Sequence, residues 1–349
     1  MYQPNAMASK NRLRLKDIAE ELKVSTTTVS FVLNGKGEEK NISRSVIQKI
    51  EDYISEIGYQ PHTIAKSLRT GRSKILVLMV EDISNLFFSS IARIIEDIAH
   101  KKGYKIIFCS NENDDTRSKE LIKFFRERSV DGFFIVPSTG IRDDIQSLLD
   151  HNIPVVLFDR YFKGLPVGHV IIDNENAAYK ATKHLIENNF SKVVFLTTDI
   201  NQTQMLDRLS GYEKAMREAG HAPQTLKLPY QNINPRSVEK AFLKTFGGFD
   251  NVDSLFFATN YLTQDGIAFL KKTDSELIHK LGIVTFDDND FFNIYTPTIT
   301  AVSQPLAQIG QAMMKIMLDI LEKKKTGDEI QHKVIPAKLI IRESSIPLT

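Results

Sequence analysis

From Lys74 onward the chain repeats one pattern, a short apolar run followed by an amphipathic stretch. The runs are KILVLMV, KIIFCS, DGFFIVP and IPVVLFD, and after residue 165 GHVIIDN, KVVFLTT, DSLFFAT and LGIVTFDD. Between them lie helical segments such as FFSSIARIIEDIAHKKG, SKELIKFFRERS, YKATKHLIENN, RLSGYEKAMREAG and GQAMMKIMLDILEKKK. Buried strands alternating with covering helices predict parallel sheet with helices on both faces. The strands are too many for one sheet of usual size. Two lobes with a cleft between them is the economical α/β arrangement, and ligands of such sheets sit beyond the carboxyl ends of the strands.

The first sixty residues follow a different rule. Their apolar positions fall at helical spacing: Ile18, Ala19 and Leu22, then Val29, Val32 and Leu33, then Val46, Ile50, Tyr53, Ile54 and Ile57. Val24-Ser25 marks a turn with Ser25 as N-cap of a second helix, Asn34-Gly35 ends that helix, and Ser43 caps a third that stops at Gly58. Two helices joined by a tight turn and braced by a third is the helix-turn-helix plan. The first ten residues are expected to fray, and the polar loop GKGEEKN to be mobile. After Pro61, HTIAKSLRTGRSK carries too little apolar surface to fold alone and reads as a linker with one or two helical turns.

Charge divides along the same line. Residues 1–74 hold 13 Lys and Arg against 8 Asp and Glu, and the remainder holds 32 against 35, within a net charge of +2. A basic head on an acidic body points to a polyanionic partner for the head. No run approaches the roughly 20 apolar residues of a membrane span, and the amino terminus lacks the apolar centre of a secretory signal, so a cytoplasmic protein with no membrane association is expected. The single cysteine, Cys109, agrees with a reducing compartment and reads as a small core residue. The 8 histidines and this cysteine show no metal-ligand spacing, and no Ser/His/Asp motif, Walker loop or GxGxxG occurs. Neither catalytic residues, nor a metal, nor a cofactor is therefore expected, and the chain does not read as an enzyme.

The motifs LKDIAEELKVSTTTVSFVLNG at 15–35, IGYQPHTIAKSLRTGRSK at 57–74, EDISNLFF at 81–88, DRLSGYEKAMREAG at 207–220, TFDD at 285–288 and TPTITAVSQP at 296–305 together carry a resemblance. In this order and spacing the chain resembles the LacI/GalR family of repressors over almost its whole length. The resemblance implies an α-helical helix-turn-helix headpiece over 1–60, a hinge helix and linker over 61–74, and a core over 75–349 similar to periplasmic sugar-binding proteins. It further implies crossings between lobes near 173, 304 and 331. Lobe 1 would then comprise 75–173 and 304–331, and lobe 2 would comprise 174–303 and 332–349. A sugar-transport binding protein would match the core but not the head, and an α/β enzyme is supported only by the alternation of strand and helix.

A recognition helix offers its first side chains to base edges in the major groove, here Thr26, Thr27 and, one turn later, Phe31. Threonine can donate, accept, or pack its methyl on thymine. The family usually has arginine where this chain has Phe31, which exchanges a bidentate guanine contact for an apolar one. Phe31 could also belong to the headpiece core. Lys16, Ser25, Thr28 and Asn34 are of phosphate-binding types, and Ser25 and Asn34 match family positions that do so. In the hinge, His62, Ala65 and Leu68 are assigned to DNA, Leu68 matching the leucine that wedges into the minor groove. The implied partner is a pseudo-palindromic double-stranded operator bound by a homodimer. A tetramer is not expected, because no leucine heptads follow the last strand.

For the effector, the resemblance carries over to Phe87 and Phe88, Asp159 and Arg160, Arg208, Asn260 and Asp287. Arg208 and Asp287 stand inside matched motifs and could clamp neighbouring hydroxyls of a sugar. Arg208 could otherwise be a surface residue paired with Asp207. Two arginines would suit a sugar acid or a phosphate. With no tryptophan, any stacking platform must be phenylalanine or tyrosine. Tyr261 follows Asn260 where the family commonly has aspartate. The expected function is a transcriptional regulator, a repressor in the first instance, whose operator affinity is set by a sugar or sugar acid bound between the lobes.

Overall fold

The computed structural model describes residues 15–59, 72–322 and 330–347. The chain divides into two compact units, Met1–Ser73 and Lys74–Thr349.

In the first unit, α1 (Leu15–Leu22), α2 (Thr26–Leu33) and α3 (Arg44–Ile57) enclose a small core in which Ile18, Val29 and Ile50 are fully buried. The Ser25 side chain accepts from Thr28 N at 3.0 Å and so starts α2 just after the turn. The polar segment 35–41 is folded into successive turns, with Lys40 N donating to Lys36 O and Ile42 N to Gly37 O, both at 3.0 Å. Burial of Gly37 beneath Ile47 explains this, since the loop has an apolar anchor that its polar sequence conceals. The hinge residues His62, Ala65 and Leu68 lie outside the described residues.

The second unit begins with β1 (Ile75–Val80), α4 (Leu86–Lys101), β2 (Lys105–Ser110), α5 (Asp115–Glu127), β3 (Gly132–Ile135), α6 (Arg142–Asp150), β4 (Val155–Phe158) and β5 (Gly168–Ile172). It continues through α7 (Asn174–Glu187), β6 (Val193–Thr198), α8 (Thr203–Glu218), β7 (Gln224–Leu228), α9 (Pro235–Phe246), β8 (Ser254–Phe257), α10 (Asn260–Thr273), α11 (Leu277–Lys280), β9 (Gly282–Phe286), α12 (Asp290–Ile294) and β10 (Thr300–Ser303). It ends with α13 (Leu306–Leu321), β11 (His332–Ile335) and β12 (Lys338–Ile340).

Two six-stranded sheets result, in the orders β11-β5-β4-β3-β1-β2 and β12-β10-β9-β8-β6-β7. All neighbours in the first sheet are parallel, and in the second only β12 runs antiparallel, to β10. Alternation along β1 sends Leu76, Leu78 and Val80 to one core and Val77 and Met79 to another, so the first sheet is covered on both faces. Each such side chain, once buried, contributes roughly 1.5–3 kcal/mol.

The chain leaves the first sheet after Ile172 and returns after Ser303. The third crossing corrects the expectation of 331. β11 pairs in parallel with β5, His332 opposite His169 and Ile335 opposite Ile172, so residues 332–335 belong to lobe 1. The crossing falls at 336–337, where Ala337 N donates to Asp173 Oδ1 at 2.8 Å and ties the third crossing to the first. β11 escaped the sequence pattern because it is an exposed edge strand, HKVI, with only Ile335 buried. β7 and β10 escaped as well, since QTLKL and TAVS lack a long apolar run.

Candidate functional site

The headpiece residues expected to meet DNA are placed on and beside α2. Thr26 and Thr27 are exposed, and Phe31 is half-buried and outside the headpiece core, with Lys40 Nζ 5.7 Å from its ring centroid. Thr28 Oγ1 lies 2.8 Å from Ser25 Oγ, Asn34 Nδ2 donates to Ser30 O at 2.5 Å, and Lys16 pairs with Glu20 at 3.5 Å. All four of these polar residues therefore also cap or brace the helices that present them.

In the second unit, the carboxyl ends of both sheets face one cleft. Asp159 follows β4 and Asp287 follows β9, both in left-handed backbone at φ 65° and 68°. Short polar side chains tolerate this conformation better than most. Arg160, 3% exposed, donates from Nη2 to Glu81, from Nη1 to Asn113 Oδ1 at 2.7 Å and from Nε to Asp159 Oδ2 at 3.3 Å. Arg208, 2% exposed, donates to Asn174 Oδ1 at 2.8 Å and Ala258 O at 2.7 Å, and its Nη1 stands 3.6 Å from Asp287 Oδ2. Its guanidinium also covers the Phe286 ring at 3.8 Å. Arg208 is thus a buried framework cation and not a surface partner of Asp207. Gln304 Nε2 holds the other Asp287 oxygen at 2.5 Å.

Hydrogen bonds join the lobes across this cleft. Tyr230 OH donates to Glu81 Oε1 at 2.6 Å, Gln202 Nε2 to Asn113 Oδ1 at 3.1 Å, and Asn260 Nδ2 to Asn85 Oδ1 at 3.4 Å. An inner cavity of about 40 Å³ is lined by Phe87, Phe88, Asp159, Gln204, Arg208 and Asp287 among others. That is little more than one water's share of liquid volume, about 30 Å³, so a monosaccharide enters only if the lobes part or side chains turn. Gln204, 6% exposed, keeps a buried Oε1 with no hydrogen-bond partner among the described residues. A larger cavity of about 740 Å³ opens at the mouth beside Glu81, Asn85, Tyr230, Asn260 and Tyr261.

Burial pushes the Asp159 carboxyl above its ordinary range, against the pull of Arg160 and Arg208. Burial also works against the Arg160 cation, but Glu81 and Asp159 outweigh it and hold the guanidinium firmly charged. The Tyr230 phenol is raised by burial and by Glu81 beside it, which keeps it a donor. Cys109, half-buried, has its thiol pushed up to about 12 by burial, so it is not a reactive thiolate.

The structure brings Asp159, Arg208 and Asp287 to the inner cavity with Phe87 and Phe88, and Asn260 to its mouth, whereas Arg160 lines neither cavity and is bonded to two residues that do, Glu81 and Asp159. It adds Glu81, Asn113, Gln202, Gln204, Tyr230 and Gln304, which the sequence reading missed. All follow the carboxyl ends of strands, Glu81 directly after β1 and Gln304 directly after β10, and that rule was the available signal. Among the described residues, no helix is long and apolar enough to cross a membrane, and no His, Cys, Asp and Glu group could hold a metal ion.

Comparison with known proteins agrees with this geometry. Residues 14–62 match the family described as "Bacterial regulatory proteins, lacI family", and residues 72–343 match "Periplasmic binding proteins and sugar binding domain of LacI family". The chain is 33% identical over 334 residues to the HTH-type transcriptional regulator RegA of Clostridium saccharobutylicum, covering 95% of this chain and 99% of RegA. It is 28% identical over 332 residues to the ribose operon repressor of Halalkalibacterium halodurans, covering 95% and 96%. Its fold is similar to that of the lac repressor dimer bound to operator and the anti-inducer ONPF, with a TM-score of 0.82 at 18% identity over 96% of this chain and 100% of that one. A helix-turn-helix unit followed by a two-lobed binding unit, matched from end to end by regulators so built, places this chain in the LacI family of bacterial transcriptional regulators.

Proposed function

We propose that this regulator binds a pseudo-palindromic operator as a homodimer in the cytoplasm, and that a sugar or sugar acid held between its lobes sets its affinity for DNA. Thr26, Thr27 and Phe31 read base edges, while Lys16, Ser25, Thr28 and Asn34 hold phosphates. His62, Ala65 and Leu68 make the hinge contacts, Leu68 as the minor-groove wedge. The effector is held by Asp159, Arg160, Arg208 and Asp287, with Phe87, Phe88 and Asn260 around it. The protein acts by binding and not by catalysis. Support for the dimer comes from the lac repressor, whose similar fold binds operator as a dimer, and support for a sugar from the ribose operon repressor.

One observation carries the reading. Two aspartates in matching left-handed frames, each beside a buried arginine, converge on one cavity at the carboxyl ends of the parallel strands of two sheets. Carboxylate beside guanidinium offers acceptors and donors to neighbouring hydroxyls at once. An effector that prefers one closure of the lobes shifts the DNA-binding equilibrium by typically about 1–3 kcal/mol. Operator titrations with and without sugars test this with Asp287→Asn, which keeps the side chain's shape. The variant is expected to lose at least about tenfold in effector response while binding operator as wild type in its absence. A wild-type response would place the effector elsewhere.

A further inference from the structure

We infer that Glu81 sets the charge selectivity of the cleft: by occupying the Arg160 guanidinium and the Tyr230 hydroxyl, it makes the site one for an uncharged sugar and against a sugar acid or sugar phosphate. This rests on the cleft being the effector site and narrows its ligand class. Sequence alone counts two arginines and so favours an anion, but both cations already face carboxylates. Each of the three Arg160 nitrogens has a partner, in Glu81, Asn113 and Asp159. Arg208 gives Nε and Nη1 to Asn174 and Ala258, and its charge is offset by Asp287 at 3.6 Å.

Three carboxylates, Glu81, Asp159 and Asp287, thus face two guanidiniums, and the side chains concerned are between 3% and 14% exposed. The raised Asp159 pKa brings this balance from negative to neutral when that group is protonated, never to positive. The mouth repeats the pattern, being lined by Glu81, Asp82, Glu112 and Asp265 and, among the described residues, by no lysine or arginine. An incoming anion would meet like charge on approach and lie unpaired once enclosed, which a low-dielectric site penalises heavily. Hydroxyls suffer neither cost, because ionised carboxylates are pure acceptors and each hydroxyl brings a donor. Glu81 is the member of the set that decides this. It is the carboxylate whose removal frees the outer nitrogen of Arg160, and it is reached by Tyr230 of the other lobe.

Calorimetric titration of the full chain with D-ribose, D-xylose, D-glucose and D-galactose, each paired with its own aldonate, tests the inference. Wild type is expected to bind a sugar at least about tenfold tighter than the matching aldonate, and Glu81→Gln to shrink that ratio about tenfold. Inorganic phosphate supplies a probe independent of the sugar. It is expected to raise the Tm of Glu81→Gln but not of wild type, and Arg160→Gln added to Glu81→Gln is expected to remove the rise. Wild type binding an aldonate as tightly as its sugar, or gaining the same Tm from phosphate as the variant, overturns the inference and leaves the cleft reading intact. The wild-type aldonate arm can overturn the inference even if Glu81→Gln fails to fold. No binding of any sugar or aldonate by folded wild type removes the cleft reading, and this inference with it.

Discussion

The two lobes close their central strands with nearly the same three residues and use them differently. Phe158-Asp159-Arg160 ends β4, and Phe286-Asp287-Asp288 ends β9, each strand third from the corresponding edge of its sheet. Both aspartate N–H groups donate to the next strand, Asp159 to Val170 O at 3.2 Å and Asp287 to Val302 O at 3.0 Å. The third residue breaks the likeness. Arg160 turns to Glu81 within the cleft, whereas Asp288 pairs with Arg342 through two bonds of 2.9 Å, and Arg342 also reaches Ile299 O at 2.6 Å. Lobe 2 therefore takes its cleft cation from another element, Arg208 on α8. A shared backbone frame places the acid, and the residue after it decides whether the lobe supplies its cation locally or borrows it.

The sharpest way to break this comparison is to remove two lobe 2 arginines, Arg208 and Arg342, in turn. Arg208→Ala leaves the Asn174 amide oxygen without its donor and the Asp287 carboxylate without its buried cation, and is expected to cost about 3–5 kcal/mol. Arg342→Ala, at a site whose side chain is 11% exposed, is expected to cost about 1.5–3 kcal/mol. Urea titration of the full chain checks both, and an equal or reversed order would mean that Arg208 is not the framework cation. Loss of operator binding by Arg208→Ala would accordingly report the fold and not the effector, which is why Asp287→Asn is the better probe.

A second difference lies between the helix pairs that cover the sheets, α4 with α13 in lobe 1 and α7 with α8 in lobe 2. A glycine stands at each contact. A β-carbon at Gly211 would sit 2.0 Å from Glu175 O, a backbone atom, and at Gly310 it would sit 2.6 Å from Ile94 Cγ2, a side chain that can turn. Gly211→Ala is expected to reach the upper end of the about 1–3 kcal/mol typical of overpacking. At Gly310→Ala a milder clash is offset by the roughly 1 kcal/mol gain in helix propensity, leaving a net change near zero. Thermal unfolding of the two variants reads the difference, and equal losses would show that the lobe 1 contact is as rigid as that of lobe 2.

The smallest expected effect is a pH dependence that is stronger in lobe 1. His169 lies stacked between Tyr161 and His332, with centroids 4.5 and 4.1 Å away, and burial together with His332 lowers its pKa from 6.5 to about 4. Its folded state favours the neutral ring, so the stability it contributes is present above pH 6.5 and is lost as pH falls from there through about 4. In lobe 2, burial lowers His184 as well, although Glu187 opposes the shift, and its Nε2 lies 2.7 Å from Ser345 Oγ. Stability measured across this window should flatten more in His169→Phe than in His184→Gln. Asp159 runs the other way: its raised carboxyl pKa makes stability rise as pH falls toward it, so Asp159→Asn should steepen the acid loss.

Much of this molecule can be read from residue order alone, because the information is local. Periodicity places the three headpiece helices and most core strands, Ser25 announces its own cap, and the apolar runs announce parallel sheet. Asp159, Arg160, Arg208 and Asp287 are found by motif, since each stands at a fixed offset from a strand end or within a matched helix. The partnership of those charges lies beyond such reading. That Glu81 spends Arg160, that Arg208 is held by Asn174 and Ala258, and that β11 stays with β5 to move the last crossing to 336–337 all depend on residues far apart in sequence. A side chain's type is set where it is encoded, but its net charge and freedom are set by what the fold packs against it, and here that turns an apparent anion site into one whose cations are already paired.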